Sequence, residues 1–251
     1  MATFLEALKK NPYVYIVGTE TRRVLGRLAR EARHNTWKRG RTESIREYLA
    51  ASAVPKLHVG CGPMLLKGWI NSDMEPDIAK GVIYLDVTEP LPFPDGSLNY
   101  IYSEHVLEHV TLETTFTHFG ECYRALSPGG VIRVAMPDLQ FLLDYFKGKE
   151  LTPVQQSFLE RTVEKFHPMV AVKSPALLLN DFVRRWGHQV IYDHQLLADL
   201  LKRVGFDPVV SCALQESRHT DLTNLEHHGT AIGDAYNRLQ TMVLEATRPA
   251  M

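Results

Sequence analysis

Three short apolar segments of the sequence each end in residues that could contact a ligand. The first runs into the glycine turn Gly60-Cys61-Gly62, and the next two close on Asp73 and Asp86. Glycines let the backbone approach a ligand closely. A carboxylate can accept hydrogen bonds from both hydroxyls of a ribose, as we expect for Asp73, or from an adenine amino group, as we expect for Asp86. Because ligands of open parallel sheets bind at the carboxyl ends of the strands, this order predicts a nucleoside-binding site.

The segment that follows Gly62 argues against a dinucleotide ligand. Pyrophosphate binding needs a third glycine, in the pattern G-x-G-x-x-G, and a helix whose N-terminus faces the phosphates. Here the chain continues as Pro63-Met64-Leu65, and only about nine residues separate the first two predicted strands, fewer than a helical crossover needs. The pattern therefore favours a nucleoside cofactor without a phosphate over a nicotinamide or flavin dinucleotide.

Three residues next to the expected reaction centre could act as a base. His105 follows the fourth predicted strand and Asp138 follows the fifth, while His188 precedes the last long helix, beside Trp186, which could stack on a sugar face. Histidine suits proton transfer near neutral pH. Asp138 could instead bind a divalent metal such as Mg²⁺, or cap the next helix. The structural alternatives are a solvent-facing helix start for His105 and a loop anchor for His188.

The remaining candidate residues have structural interpretations that we favour. Glu108 and His109 are expected to brace a helix against the sheet, four residues after Glu104 and His105. A late histidine cluster lacks a recognised metal-ligand spacing and fits a loop near the acceptor or an oligomer contact. It comprises His219, His227 and His228. Cys61, between two glycines, is expected to shape the turn rather than act as a nucleophile.

Strands that alternate with helices predict an α/β fold with seven strands in a mostly parallel sheet and helices on both faces. The predicted strands are Lys56–Gly60, Trp69–Asp73, Val82–Asp86, Leu98–Ser103, Val131–Met136, Pro208–Ala213 and Leu239–Glu245. The predicted helices are Thr21–Arg33, Thr42–Ala51, one from Glu104 to about Leu126 that bends near Thr115, and Tyr192–Val204. Residues 138–187 contain only helical patterns, which predicts a helical insertion after the fifth strand.

The composition is that of an ordinary soluble chain. Its 251 residues are 45% hydrophobic and 23% charged, which excludes a mostly disordered protein, a collagen-like fibre and a coiled coil. There is no run of eighteen apolar residues and no signal-peptide pattern at the start. The three cysteines are far apart, without a disulfide framework, so we expect a reducing, cytoplasmic setting.

The charge is divided along the chain. Residues 1–50 carry a net charge of +6, whereas residues 51–251 carry −7. A basic amphipathic helix can lie on an anionic membrane or contact nucleic acid. It can also pack on the acidic body or on another subunit, which we favour because the basic residues are spread and aromatic residues among them are sparse. We therefore expect no nucleic-acid partner, allow a peripheral membrane contact, and expect a homo-oligomer.

Five motifs in order resemble class I S-adenosylmethionine-dependent methyltransferases. They are Lys56–Gly62, Gly68–Asp73, Leu91–Asp95, Ser103–His109 and Arg124–Arg133. The order is similar to that of a bacterial branch whose members often accompany sugar and cell-surface polysaccharide genes. The resemblance covers residues 55–137 and, more weakly, 186–215.

The resemblance implies a Rossmann-like core, S-adenosylmethionine as the cofactor and a set of residues that hold it. The turn Gly60-Cys61-Gly62 would cradle the methionine and ribose portion, Asp73 the ribose hydroxyls, Asp86 and the Val87 backbone the adenine, and the Ser103 carbonyl the methionine amino group. The short segment after Gly62 departs from the family pattern, where a longer helix follows the glycine turn.

These inferences together predict an O-methyltransferase in three parts. Residues 52–137 and 188–251 form the methyltransferase core, residues 1–51 a basic helical accessory and residues 138–187 a helical cap over the acceptor. The acceptor is expected to be a sugar or saccharide hydroxyl, which rests on the resemblance. The alternatives are another small-molecule or lipid-linked acceptor, or a non-catalytic protein that binds nucleic acid or membranes through its basic helices.

Overall fold

A computed structural model describes residues 12–250, and for residues 12–23 and Arg30 it describes the backbone alone. The boundary between two compact units falls between Ser44 and Ile45. Helix α1, Pro12–Ala51, spans 40 residues, so the prediction of two separate helices in this segment is wrong. Its interior glycines, Gly26 and Gly40, do not break the helix, because a helical glycine costs only about 1 kcal/mol relative to alanine. Among the described residues, no helix is both long enough and apolar enough to cross a membrane.

The second unit is built on a seven-stranded sheet. The strands are β1 (Lys56–Val59), β2 (Ile70–Asp73), β3 (Ile83–Tyr84), β4 (Leu98–Glu104), β5 (Leu126–Pro137), β6 (Val209–Cys212) and β7 (Thr241–Thr247). Their order is β3-β2-β1-β4-β5-β7-β6, and β7 alone runs antiparallel to its neighbours β5 and β6. The predicted α/β, Rossmann-like, mostly parallel sheet is confirmed. The inserted antiparallel β7 distinguishes it from the six-stranded dinucleotide-binding order.

The central strands are buried, as parallel strands covered on both faces must be. Leu57 and Val59 of β1, Ile101 of β4 and Val134 of β5 have no measurable solvent exposure and belong to one large apolar core. The last turn of α1 contributes Ile45 to the same core.

The connection between β1 and β2 contains no helix, as its length predicts. The side chain of Asn71 holds the connection together instead. Its Oδ1 accepts from the Leu66 amide at 2.9 Å, and its Nδ2 donates to the carbonyls of Leu66 at 3.1 Å and Trp69 at 3.2 Å. One half-buried amide side chain thereby satisfies backbone groups that a helix would otherwise pair internally.

The helix predicted to start at Glu104 starts later. Strand β4 extends through Glu104, a 3₁₀ turn covers Leu107–His109, and helix α2 spans Leu112–Ala125. Thr111 sets this start, because its side chain caps the helix by accepting from the Thr114 amide. The expected four-residue pairing along a helix is therefore wrong, and Glu108 contacts His105 instead.

Residues 138–187 are helical, as predicted, and have their own apolar cluster. Their helices are α3 (Leu139–Asp144), α4 (Pro153–Phe166) and α5 (Pro175–Asn180), which continues into a π-helical turn at Asp181–Arg185. Phe141, Phe158 and Phe182 pack edge to face or tilted at the centre of this cluster. After the insertion, helix α6 (His194–Val204) leads into β6. The short helices α7 (Gly229–Ile232) and α8 (Asp234–Gln240) lie between β6 and β7.

A buried ion network fixes the loop that follows β6. The Arg133 guanidinium on β5 donates to Glu226 at 2.6 Å and to Glu245 on β7, and all three side chains are almost completely buried. The same guanidinium donates to the carbonyls of Ala213 and Glu216. Because an unpaired charge inside a protein is costly, this network ties the loop of residues 213–226 to the sheet.

Replacing Glu226 with alanine is expected to lower the free energy of unfolding by roughly 3–5 kcal/mol, since the buried Arg133 loses a charged partner. Urea denaturation followed by circular dichroism measures this loss. The control is Asp199→Ala, which removes an exposed pair with Arg203 and should cost less than about 0.5 kcal/mol. Equal losses in the two variants would contradict the role assigned to the buried network.

Candidate active site

The carboxyl ends of three neighbouring strands meet at one edge of the sheet. Val59 of β1 pairs with Ser72 of β2 on one side and with Ser103 of β4 on the other. The next residue along each of the three strands is Gly60, Asp73 or Glu104. These three residues therefore lie side by side. The predicted convergence of strand ends is present in the structure.

Asp73 holds the glycine turn in place. Its Oδ2 accepts from the Gly62 amide at 2.9 Å, and its Oδ1 accepts from the Glu75 amide at 2.9 Å. A carboxylate has about four acceptor positions, so two amide contacts leave capacity for the hydroxyls of a ribose.

Asp86 and Val87 follow β3 at the same edge of the sheet. The Asp86 carboxylate accepts from the Thr88 amide at 2.9 Å and from the Thr88 hydroxyl at 2.7 Å. Val87 is half-buried and packs against the main core. Both carboxylates are partly exposed, so a nucleoside can reach them.

Gly60 and Cys61 shape the turn between β1 and the site. Gly60 has a left-handed φ of 66°, and a Cβ there would lie 2.3 Å from Val106 Cγ2, so only glycine fits. Cys61 is buried, and burial together with Asp73 raises the pKa of its thiol to about 11. A protonated, buried thiol agrees with the predicted shaping role.

The chemistry of these residues fits the predicted nucleoside cofactor. The Ser103 hydroxyl is buried at this edge without a hydrogen-bond partner, which leaves one polar atom for a ligand. The backbone turns sharply at Gly60 and Gly62, and two carboxylates follow the neighbouring strands. In this arrangement Asp73 and Asp86 would hold the ribose and the adenine, respectively.

A cavity of about 480 Å³ extends from the glycine turn into the helical insertion. Its lining comes from the glycine turn, the segment after β4, the helical insertion and residues between 225 and 240. Among the residues that line the cavity are Gly60, Cys61, Gly62, Glu104, His105, Glu108, His109, Phe158, Arg161, Lys165, Phe166, Trp186, His188, His227, His228 and Tyr236. Asp73, Asp86, Val87 and Ser103 lie outside this lining, and Val87 borders a separate cavity of about 240 Å³.

His105 lines this cavity in a constrained geometry. Its φ is 53°, a left-handed value that residues other than glycine adopt rarely and that often marks functional sites. Nδ1 lies 3.0 Å from Glu108 Oε1, and Nε2 lies 3.3 Å from the Thr241 hydroxyl. Burial is the largest single influence and would raise the pKa of Glu108, but the hydrogen bond and charge of His105, a backbone hydrogen bond and His109 together outweigh burial and lower that pKa. Glu108 therefore stays ionised and orients the imidazole.

The structure separates the other two base candidates. His188 lines the cavity, and burial lowers the pKa of its imidazole. Asp138 does not line the cavity, and its side chain caps α3 by accepting from the Gln140 amide at 2.9 Å. No cluster of metal-ligating groups among the described residues includes Asp138, so the Mg²⁺ site considered there has no support.

The late histidines divide between the cavity and the surface of the sheet. His227 and His228 donate their backbone amides to the Glu104 carboxylate at 2.9 Å and 3.1 Å. The His228 ring stacks on His105 with centroids 4.0 Å apart, and burial lowers the pKa of His228 to about 4. His219 lies apart, against Tyr100.

Sequence reasoning missed the cavity residues on α4. Phe158, Arg161, Thr162 and Lys165 all line the cavity. Their spacing of three, four and seven residues places them on one helical face. The same spacing is visible in the sequence, but only the fold shows that this face lies over the glycine turn.

The chain is similar to several methyltransferases. Residues 71–134 match the family described as a methyltransferase domain. A probable S-adenosylmethionine-dependent methyltransferase of Mycolicibacterium smegmatis is 28% identical over 211 residues, which are 67% of this chain and 79% of that protein. A crystal structure of an S-adenosylmethionine-dependent methyltransferase from Archaeoglobus fulgidus is 18% identical, with 87% of this chain and 94% of that chain covered and a TM-score of 0.46.

The sheet order, the family match and the relative together indicate an S-adenosylmethionine-dependent methyltransferase. The predicted enzyme class is confirmed. The roles of the individual site residues stay predictions.

Gly60→Ala is expected to destabilise the protein by about 3 kcal/mol, from left-handed strain and from the clash with Val106. It should also weaken binding of S-adenosylhomocysteine, measured by calorimetry. The double variant Gly60→Ala/Val106→Ala removes the clash and should recover part of the stability lost by Gly60→Ala, with Val106→Ala as the reference. No recovery would show that the close approach to Val106 is not what requires glycine.

Proposed function

We propose that the protein transfers a methyl group from S-adenosylmethionine to a hydroxyl group of a saccharide. The observation that carries this proposal is one cavity that is lined by the glycine turn, by His105 and by aromatic residues of the insertion, Phe158, Phe166 and Trp186. The cofactor supplies an electrophilic methyl group on a sulfonium, so the protein needs mainly to align the acceptor.

The residues at the sheet edge would hold the cofactor at one end of this cavity. Asp73 and Asp86 would hold the nucleoside, while Gly60 and Gly62 leave room for its methionine portion. The turn opens directly into the cavity, since Gly60, Cys61 and Gly62 all line it. In this proposal the acceptor binds beyond the turn, next to His105.

His105 is the base that we assign to the acceptor hydroxyl. A carboxylate only accepts hydrogen bonds, so Glu108 fixes the proton on His105 Nδ1 and leaves Nε2 as an acceptor. Nε2 lies 3.3 Å from the Thr241 hydroxyl, but that hydroxyl donates its proton to Asn237 Oδ1 at 2.8 Å, so the lone pair of Nε2 stays open to an acceptor hydroxyl. A positioned base contributes typically 10²–10⁴-fold to the rate.

The far end of the cavity supports a saccharide that carries an anionic group. Phe166, Trp186 and Tyr236 provide aromatic faces on which a sugar ring can stack. Arg161 and Lys165 add two positive charges on the same face of α4. Arginine and lysine bind phosphate and carboxylate groups, which favours a sugar phosphate or a sugar acid over a neutral sugar.

Asp73→Ala and Asp86→Ala should each weaken binding of S-adenosylhomocysteine by roughly 10–100-fold, because each removes hydrogen bonds to a charged acceptor. Isothermal titration calorimetry measures the dissociation constants. Asp77→Ala is the matched control, since this nearby exposed carboxylate pairs with Lys80 and should leave binding unchanged. Unchanged affinity in both test variants would overturn the assigned cofactor site.

His105→Asn should lower kcat by roughly 10²–10⁴-fold while cofactor affinity is retained. Asparagine tolerates the left-handed backbone of this position, so the variant removes the base with little strain. The assay uses a labelled methyl group and a panel of neutral sugars, sugar phosphates, sugar acids and aromatic alcohols, with His219→Ala as the control. Full turnover by His105→Asn would exclude His105 as the base, and methylation of aromatic alcohols alone would contradict the saccharide assignment.

A further inference from the structure

Three side chains in the cavity present donor atoms that the proposed methyl transfer does not use. Glu108, His109 and His188 each offer one metal-ligating atom, and these atoms lie within 4.8 Å of one another. All three residues line the cavity. They come from two separate segments, the 3₁₀ turn after β4 and the return of the insertion to the sheet.

Glu108 carries an unpartnered oxygen in a buried position. Its side chain is 1% exposed, and Oε1 contacts His105. The second oxygen, Oε2, is buried without any hydrogen-bond partner. Since a buried charged atom without a partner is costly, Oε2 is either a source of strain or a ligand atom for something that binds there.

His188 carries a second unpartnered atom, and the backbone holds it against Glu108 and His109. Its Nδ1 is buried without a partner, and its ring packs edge to face on His109 with centroids 5.0 Å apart. The Gln189 amide donates to the Glu108 carbonyl at 2.7 Å, and the Gln189 side chain donates to the His109 carbonyl at 2.8 Å. These bonds fix the two segments side by side before any ligand arrives.

We propose that Glu108 Oε2, His109 and His188 bind one Zn²⁺ ion or a similar divalent transition metal. Two imidazoles and one carboxylate are a common ligand set of catalytic zinc sites, which keep a fourth position open. Donors on one zinc ion lie roughly 3.4 Å apart, so modest side-chain rotations close the site. His109 is exposed and His188 half-buried, which leaves both free to rotate.

His105 would then orient the metal ligand Glu108 through a hydrogen bond. Carboxylates that bind metals are themselves usually hydrogen-bonded, and His105 makes that bond to Glu108 Oε1. The metal's open position faces the cavity, where a hydroxyl oxygen of the acceptor can coordinate. Coordination lowers the pKa of the hydroxyl. The oxygen–methyl bond then forms as the methyl–sulfur bond breaks, and the hydroxyl proton passes to His105. This catalytic role rests on the proposed function, whereas the metal site itself does not.

The test is a calorimetric titration of tag-free, chelator-treated and dialysed protein with ZnCl₂. The wild type should bind one Zn²⁺ per chain, and His109→Ala and His188→Ala should each weaken binding at least 10-fold, since even outer-shell changes cost about 10–100-fold. Glu108→Gln, which keeps the side-chain volume, should weaken it as well. His219→Ala, outside the cavity, should match the wild type. Circular dichroism of each variant verifies folding, and the exposed position of His109 makes its variant the safest of the three.

The site is refuted if the wild type binds no zinc, or if all three ligand variants bind it as the wild type does. Methyl transfer is measured on the same preparations with and without the metal. Zinc binding lost in the ligand variants, without any methyl transfer in the wild type, would support the site and contradict the proposed function. If the chelator-treated protein binds no zinc in the titration but still transfers methyl groups, the proposed function is supported and the metal site is refuted.

Discussion

Carboxylates that need a partner determine how the last part of the chain folds over the sheet. The buried Glu226 and Glu245 share Arg133, while the half-buried Glu104 accepts two backbone amides from residues 227–228. An uncompensated charge at Glu226 or Glu245 would cost several kcal/mol, more than most surface interactions supply. The segment of residues 213–228 is therefore held at Arg133 on β5 and at the end of β4, and Asp221 also pairs with Lys56 on β1 at 2.6 Å. This is how a loop far along the sequence contributes His227 and His228 to the cavity.

The helix-free connection between β1 and β2 has a consequence for the site. In a dinucleotide-binding fold, a helix after the glycine turn faces the pyrophosphate. Here the Asn71 side chain satisfies the backbone of the connection, and the glycine turn opens into the cavity instead. The turn that we propose to cradle the cofactor thereby also borders the space where an acceptor can bind. A methyl transfer needs this arrangement, since donor and acceptor atoms must come within contact distance.

The sequence allowed the strands and the strand-end residues to be predicted, because both depend on local patterns. Short apolar runs that end in glycine or aspartate define β1, β2 and β3 whatever the rest of the chain does. The sequence pattern places the start of the helix after β4 too early, since the apolar spacing alone does not show that the Thr111 cap starts the helix there. For the same reason it pairs Glu108 with Glu104 rather than with His105. The contact of Glu104 with residues 227–228 joins segments more than 120 residues apart, and no local pattern encodes it. For Asp138, the sequence left a base, a metal ligand and a helix cap open, and only the Gln140 contact favours the cap.

The residues proposed for cofactor binding and those proposed for acceptor binding lie in different parts of the chain. The family match covers residues 71–134, which include Asp73, Asp86, Ser103 and His105. The cavity face of α4 lies outside this match and carries Phe158, Arg161 and Lys165. Because α4 supplies two positive charges and two aromatic rings of the cavity, Phe158 and Phe166, a few substitutions on this helix can change which acceptor fits without altering the strand ends that we propose to hold the cofactor. Conversely, Glu108 has two roles, since it orients His105 and presents its free oxygen to His109 and His188. A change at Glu108 is therefore expected to alter both the orientation of His105 and the proposed metal site.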